Sequence, residues 1–98
     1  MSRTRLTEDE ITAALAALPE WHREGEAIVR TAETASFMTA IRVVDTVAVA
    51  AEELDHHPDI DIRWRTLRFN LSTHSAGGLT GLDTTLAGRI DDVLRTTS

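Results

Sequence analysis

Between Phe37 and Leu54 the chain runs for eighteen residues of which twelve are apolar, with no proline or glycine among them. Ser36 stands at the N-cap position before this run, and Pro58 bars its continuation a few residues beyond its end. The segment reads as a helix. Its apolar residues do not form one stripe. Phe37, Ile41, Val44, Ala48 and Ala51 make one face, and Val43, Val47, Ala50 and Leu54 make another. A helix apolar on two sides has to be covered on two sides. A chain of 98 residues builds one domain with one core, spanning 1–98, and its remaining elements cover only one of the faces. The second face predicts a partner subunit.

The flanking patterns supply that first cover. Thr7-Glu8-Asp9-Glu10 has the spacing of a capping box, and Ile11, Ala14, Leu15 and Leu18 then recur at helical intervals until Pro19. From Trp21 to Thr34 a glycine sits in the middle of partly alternating residues, which predicts a hairpin, with Ile28 beside Val29 as its one irregularity. After Pro58, "DIDIRW" and "RTLRFNLS" read as two more strands, with Leu67, Phe69 and Leu71 facing inward. A Gly-rich turn, "THSAGGLTGLD", leads to a second capping box, Thr80 to Asp83. The last helix carries Leu82, Leu86, Ile90 and Val93 on one face. The order is α-β-β-α-β-β-α, an α+β fold whose four-stranded antiparallel sheet has its helices on one side.

Composition narrows the function. Ten basic against sixteen acidic side chains give a formal charge of −6, which disfavours nucleic acid and anionic membrane as partners. With no cysteine, thiolate nucleophiles, disulfides and Cys-based zinc sites are out. Arg42 and Asp45 interrupt the most apolar stretch, which is too short to span a bilayer. No apolar signal region follows the N-terminal arginines, so a cytoplasmic location is expected.

The chemistry concentrates in Glu53-Leu54-Asp55-His56-His57-Pro58-Asp59, which holds two of the four histidines. The pair follows the long helix at once, and Pro58 steers His57 away from helical geometry. His74 closes the last strand in this reading, and neighbouring ends of paired strands share one edge of the sheet. The pattern therefore brings three imidazoles to one corner. Three readings of that corner stand. The histidines are solvated residues that complement a helix C-terminus; they carry protons near neutrality; or they hold a metal. Against the last, adjacent histidines serve one ion poorly, and no His-x3-His pair is present. His22, between Trp21 and Arg23 on an edge strand, reads as a surface residue.

The spacing Glu52, His56-His57-Pro58, Trp64, His74, Asp83 resembles that of the pterin-4a-carbinolamine dehydratases. So do "SFMTAI" before the long helix, "LSTH" after the last strand and "GLT..D" into the final helix, and the likeness runs from about Leu6 to Leu94. The resemblance implies the fold derived above and the dehydration of a 4a-hydroxytetrahydropterin to quinonoid dihydropterin, in tetrahydropterin recycling. It implies no metal and no organic cofactor. His56, His57 and His74 would be the catalytic set, with Glu52, Pro58, Thr73, Ser75 and Ala76 against the flat pterin. Glu52 would orient an imidazole, or else be a solvated helix carboxylate. Trp64 is a pocket wall or, as an aromatic on a strand, part of the core. Asp83 is expected in a structural helix-start role. Where relatives carry an aromatic after Pro58 this chain has "DID", which makes that wall more polar. The resemblance also implies a homodimer or homotetramer, and it leaves a rival open: a non-catalytic dimerisation or assembly module on the same fold.

Overall fold

The computed structural model describes residues 3–98. Its elements are α1 (Glu8–Ala16), β1 (His22–Glu24), β2 (Ala27–Glu33), α2 (Phe37–Leu54), β3 (Asp59–Arg63), β4 (Thr66–Leu71) and α3 (Gly81–Thr96), with a single 3-10 turn at His74–Ala76. The predicted order holds. Each α-helix starts where a side chain can satisfy its free amides. The Thr7 hydroxyl accepts from the Glu10 amide, while the Glu10 carboxylate accepts from the Thr7 amide. The Ser36 hydroxyl accepts from the Thr39 amide. Thr80 and Asp83 form the second capping box. Gly25 turns the first hairpin at φ +61°, in the left-handed region that favours glycine.

All strand pairs are antiparallel, in the order β1-β2-β4-β3. Leu67, Phe69 and Leu71 are fully buried on the inner face, as expected from the alternation. Ile28 joins them there, opposite Leu71, while Val29 points to the other side of the sheet beside Asn70. Over that outer face Arg68 reaches across β2 to Glu24, at 2.8 Å, and so passes above Val29. Arg30 interrupts the inner row between Ile28 and Ala32. Its Nη1 lies 2.6 Å from Asp91 Oδ1 of α3, an oxygen that also accepts from the Trp21 indole N–H at 2.8 Å.

The long helix buries Thr39, Ala40, Val43, Val47, Ala50 and Ala51 against the rest of the chain. Its other side stays open: Phe37, Met38 and Val49 are 49%, 61% and 60% exposed. Ala48 is exposed, Ile41 and Val44 are half-buried, and Ala51 alone of that predicted face is covered within the chain. Among the described residues no helix is long and apolar enough to cross a membrane.

Two expectations are corrected. Trp64 lies on no strand. Arg63 pairs with Thr66, so Trp64 and Arg65 form the connecting turn. Trp64 adopts φ +53° and is 72% exposed, with the Arg65 guanidinium 5.0 Å from its ring centre. His74 does not end a strand either. β4 stops at Leu71, and Thr73 instead forms an isolated bridge with Gly78 around the 3-10 turn that begins at His74.

Candidate active site

The end of α2 decides where the histidine pair goes. Asp55 caps the helix in the left-handed conformation, φ +49°, and the His56 amide returns to the Ala51 carbonyl at 3.0 Å. The chain then reverses into β3. This sharp exit splits the pair: His56 turns inward and is 6% exposed, while His57 stays at the surface.

His56 meets a buried carboxylate. Its Nε2 lies 2.6 Å from Oδ1 of Asp83, which is fully buried in the first turn of α3. The other oxygen, Oδ2, accepts from the Thr73 hydroxyl at 2.8 Å and the Thr80 amide at 2.9 Å. A carboxylate offers only acceptors, so the Nε2 of His56 carries the hydrogen. The hydroxyls can be assigned in the same way. Thr73 spends its proton on Asp83, so in the 2.8 Å contact between the two threonine hydroxyls Thr80 donates to Thr73. Thr80 Oγ1 in turn accepts from the Leu82 amide at 3.2 Å. One buried carboxylate thereby joins the α2 exit, the segment after β4 and the start of α3. Sequence reasoning placed Asp83 at the helix start, where it is, but missed this bond to a residue 27 positions away.

His57 meets an exposed carboxylate. Its Nε2 stands 2.5 Å from Glu52 Oε2, on the last turn of α2. Glu52 is thus a largely exposed carboxylate that also bonds to the His57 ring. With Nε2 occupied, Nδ1 of His57 is the nitrogen left for other chemistry. Beside this pair lies a cleft of about 380 Å³ between α2 and β3. Val44, Val47, Ala48 and Ala51 form its helical wall, Pro58 and Ile60 its other wall, and Glu52 and His57 its polar end. The small residues of α2 make the room. A larger cleft, about 490 Å³, lies toward the N-terminal end of α2 and the C-terminal end of α3, and no histidine lines it. Of its charges, Arg30, Glu33 and Arg95 are paired with Asp91, Arg65 and Asp92 respectively, and the Glu20 carboxylate also lines it. Of the two clefts, the one beside His57 is the one that an imidazole lines.

His74 follows the strand that pairs with the start of β3, but neither it nor Thr73, Ser75 or Ala76 lines the cleft. Asp59 pairs with Asn70, so the residues before β3 and those after β4 leave the sheet at one end. Thr73 is buried in the Asp83 network, while His74 and Ser75 are exposed and Ala76 half-buried. Among the described residues the His74 ring makes no hydrogen bond or ion pair. His22 is at the surface as expected, 2.7 Å from Glu24, and this contact, more than the one with Arg68, holds the Glu24 carboxyl below the usual range. Among the described residues no three His, Cys, Asp or Glu side chains converge as a metal-holding group.

Comparison with known proteins gives a consistent picture. A family model described as "Pterin 4 alpha carbinolamine dehydratase" matches residues 4–93. A protein of Nocardia farcinica is 56% identical over 95 residues, covering 97% of this chain and 100% of its own. One of Mycobacteroides abscessus is 55% identical over 86 residues, covering 88% and 92%. Both are provisionally named pterin-4-alpha-carbinolamine dehydratases. Among solved structures, a transcriptional coactivator/pterin dehydratase from Brucella melitensis superposes with a TM-score of 0.90 at 36% identity, covering 93% of this chain and 99% of that one. A pterin dehydratase-like RuBisCO assembly factor of the alpha-carboxysome shares the fold, with a TM-score of 0.65 at 19% identity over 76% and 89% of the two chains.

Proposed function

The chain belongs to the pterin-4a-carbinolamine dehydratase family, and on that premise we propose that it dehydrates a 4a-hydroxytetrahydropterin to the quinonoid dihydropterin and water, by histidine acid–base catalysis, in tetrahydropterin recycling. The observation that carries the reading is one corner in which two adjacent imidazoles are each backed by a carboxylate, beside a cleft that could take a flat ring.

The reaction needs two proton movements. The hydroxyl on the 4a carbon leaves as water once it is protonated, and the neighbouring ring nitrogen gives up its hydrogen. The protein gains one proton and loses one, so the catalytic groups end as they began. Imidazoles suit both jobs near neutrality. In this reading His57 works through Nδ1, with Glu52 fixing the ring and supporting its protonated form. His74, with neither ring nitrogen engaged among the described residues, is its counterpart across the substrate. His56, locked on Asp83, holds the corner together and presents its own Nδ1. Pro58 and the Thr73–Ala76 segment, with Thr73, Ser75 and Ala76, flank the ring. The part of the open side of α2 that lies beyond the cleft wall, at Phe37 and Ile41, belongs in the same reading to contact with a second copy.

The test is loss of the 4a-hydroxypterin absorbance in rapid mixing. The protein is expected to accelerate dehydration, with saturation in substrate. A rate equal to that of the buffer would refute the assignment.

A further inference from the structure

His56 and His57 are each held by a carboxylate, whereas the ring of His74 has no partner among the described residues. Its place depends on the backbone around it. The Thr73 amide donates to the Gly78 carbonyl at 3.1 Å, the Gly78 amide to Thr73 at 3.3 Å, and the Gly77 amide to His74 at 3.0 Å. The inner side of this loop is fixed by the Thr73–Asp83 bond. Its outer side is fixed by the N-terminal segment. The Leu6 amide donates to the Leu79 carbonyl at 2.8 Å, Arg5 bridges to Thr80, and the Leu6 side chain packs on the core.

Arg5 and Glu26 meet directly over Gly78. Arg5 Nη2 is 3.1 Å from Glu26 Oε2. A Cβ at Gly78 would stand 2.5 Å from that carboxylate oxygen and 3.1 Å from Arg5 Nε. Ser72, on the other side of the loop, donates to the Glu26 carbonyl at 2.7 Å. At the far end of the same segment, Arg3 donates to the carbonyl of Asp55 at 3.2 Å. Asp55 immediately precedes His56. One short strap therefore touches both segments that carry the histidines.

We infer that the strap from Arg3 to Leu6, and the Arg5–Glu26 pair above all, is a positioning element that holds the His74 loop in register with the His56–His57 corner. The inference rests on the dehydratase reading. An ion pair with side chains 59% and 55% exposed adds little to global stability. His74, Ser75 and Gly77 are exposed, and an exposed loop is where so small a restraint has leverage. Misplacing a proton carrier by about an ångström costs up to about 10²-fold in rate.

The test compares Arg5→Ala, Glu26→Ala, the charge-swapped Arg5→Glu/Glu26→Arg double variant, and Gly78→Ala, which pushes the carboxylate aside without deleting a charge. Each single variant is expected to lower kcat roughly fivefold or more with KM within about twofold. The melting temperature should move by no more than about 4 °C, and exchange of the Gly77 and Gly78 amides should quicken about tenfold. Because Glu26 also faces Arg23, at 3.8 Å, the swapped pair should recover part of kcat and not all of it. Arg95→Ala, which deletes the comparable pair with Asp92, should change nothing. Wild-type kcat in Arg5→Ala, losses that merely track the melting temperature, or no rescue by the swap would overturn the inference. Should the wild type itself not act on the pterin, the dehydratase reading fails; amide exchange would still decide whether the strap holds the loop.

Discussion

Removing the Asp83 carboxylate should cost more stability than its size suggests. The side chain is fully buried and accepts from His56 Nε2, the Thr73 hydroxyl and the Thr80 amide. In Asp83→Ala these three donors lose their acceptor inside the protein, at about 1–3 kcal/mol each, less whatever an admitted water restores. A loss of about 3–6 kcal/mol is comparable with the whole stability of a small domain, about 5–15 kcal/mol. Asp83→Asn is the gentler probe. Two donors converge on Oδ2, so the amide oxygen should settle there and turn its NH2 toward His56. Nε2 must then accept, and the imidazole proton moves to Nδ1. Replacing a charge-assisted bond by a neutral one costs about 1–2 kcal/mol, or about 5–15 °C in melting temperature. Thermal denaturation gives the first quantity, and nitrogen-15 NMR of the imidazoles at neutral pH gives the tautomer. Asp83→Ala melting with the wild type, or His56 keeping its hydrogen on Nε2 in Asp83→Asn, would refute the network.

Three further expectations follow from the same contacts. Arg23 bonds to Glu8 and holds its carboxyl below the ordinary value of 4.5, as His22 and Arg68 do for Glu24. Both groups are depressed in the folded state, so their stabilisation is present above that value and lost as pH falls through the folded one. Urea midpoints should therefore fall less between about pH 5 and about pH 3 in Glu8→Gln/Glu24→Gln than in the wild type, and equal slopes would contradict this. Exhaustive chelation should leave activity and melting temperature unchanged; a stoichiometric zinc or iron lost together with activity would overturn that. Phe37→Glu, on the open side of α2 and outside the cleft, should reduce a dimer or tetramer to a single-chain mass in light scattering. A wild type of single-chain mass at micromolar concentration would contradict the pairing. Val47, fully buried against the rest of the chain, is the wrong position for that experiment.

The parts legible in the sequence were those with local causes. Thr7, Ser36 and Thr80 announce helix starts by side-chain chemistry a few residues wide, and the helix from Phe37 to Leu54 runs between the predicted ends. Alternation in β4 identified Leu67, Phe69 and Leu71 as core. The misreadings had non-local causes. Trp64 looks like strand core until the register of β3 on β4 leaves it in the turn. His74 looks like a strand end until Thr73 bridges to Gly78 and the chain tightens into a 3-10 turn. The site divides in the same way. Glu52 stands one helical turn before His56, yet the chain reversal after Asp55 leaves it bonded to His57, five residues on. The bond from His56 to Asp83 had no local signal, because it depends on how α3 docks against the exit of α2. Arg30 inside the sheet is likewise intelligible only once Asp91 and Trp21 are seen around it.

The central claim is that imidazoles at this corner carry the protons of the dehydration. Its most direct test is the turnover of the His56→Ala/His57→Ala/His74→Ala variant, measured by rapid mixing beside His57→Ala, His74→Ala and His22→Ala, with folding of each checked by circular dichroism. The expected result is wild-type kcat for His22→Ala, a loss of roughly 10²-fold or more for His57→Ala and for His74→Ala, and no catalysis above buffer for the triple variant. A folded triple variant that turns over near the wild-type rate would contradict the account.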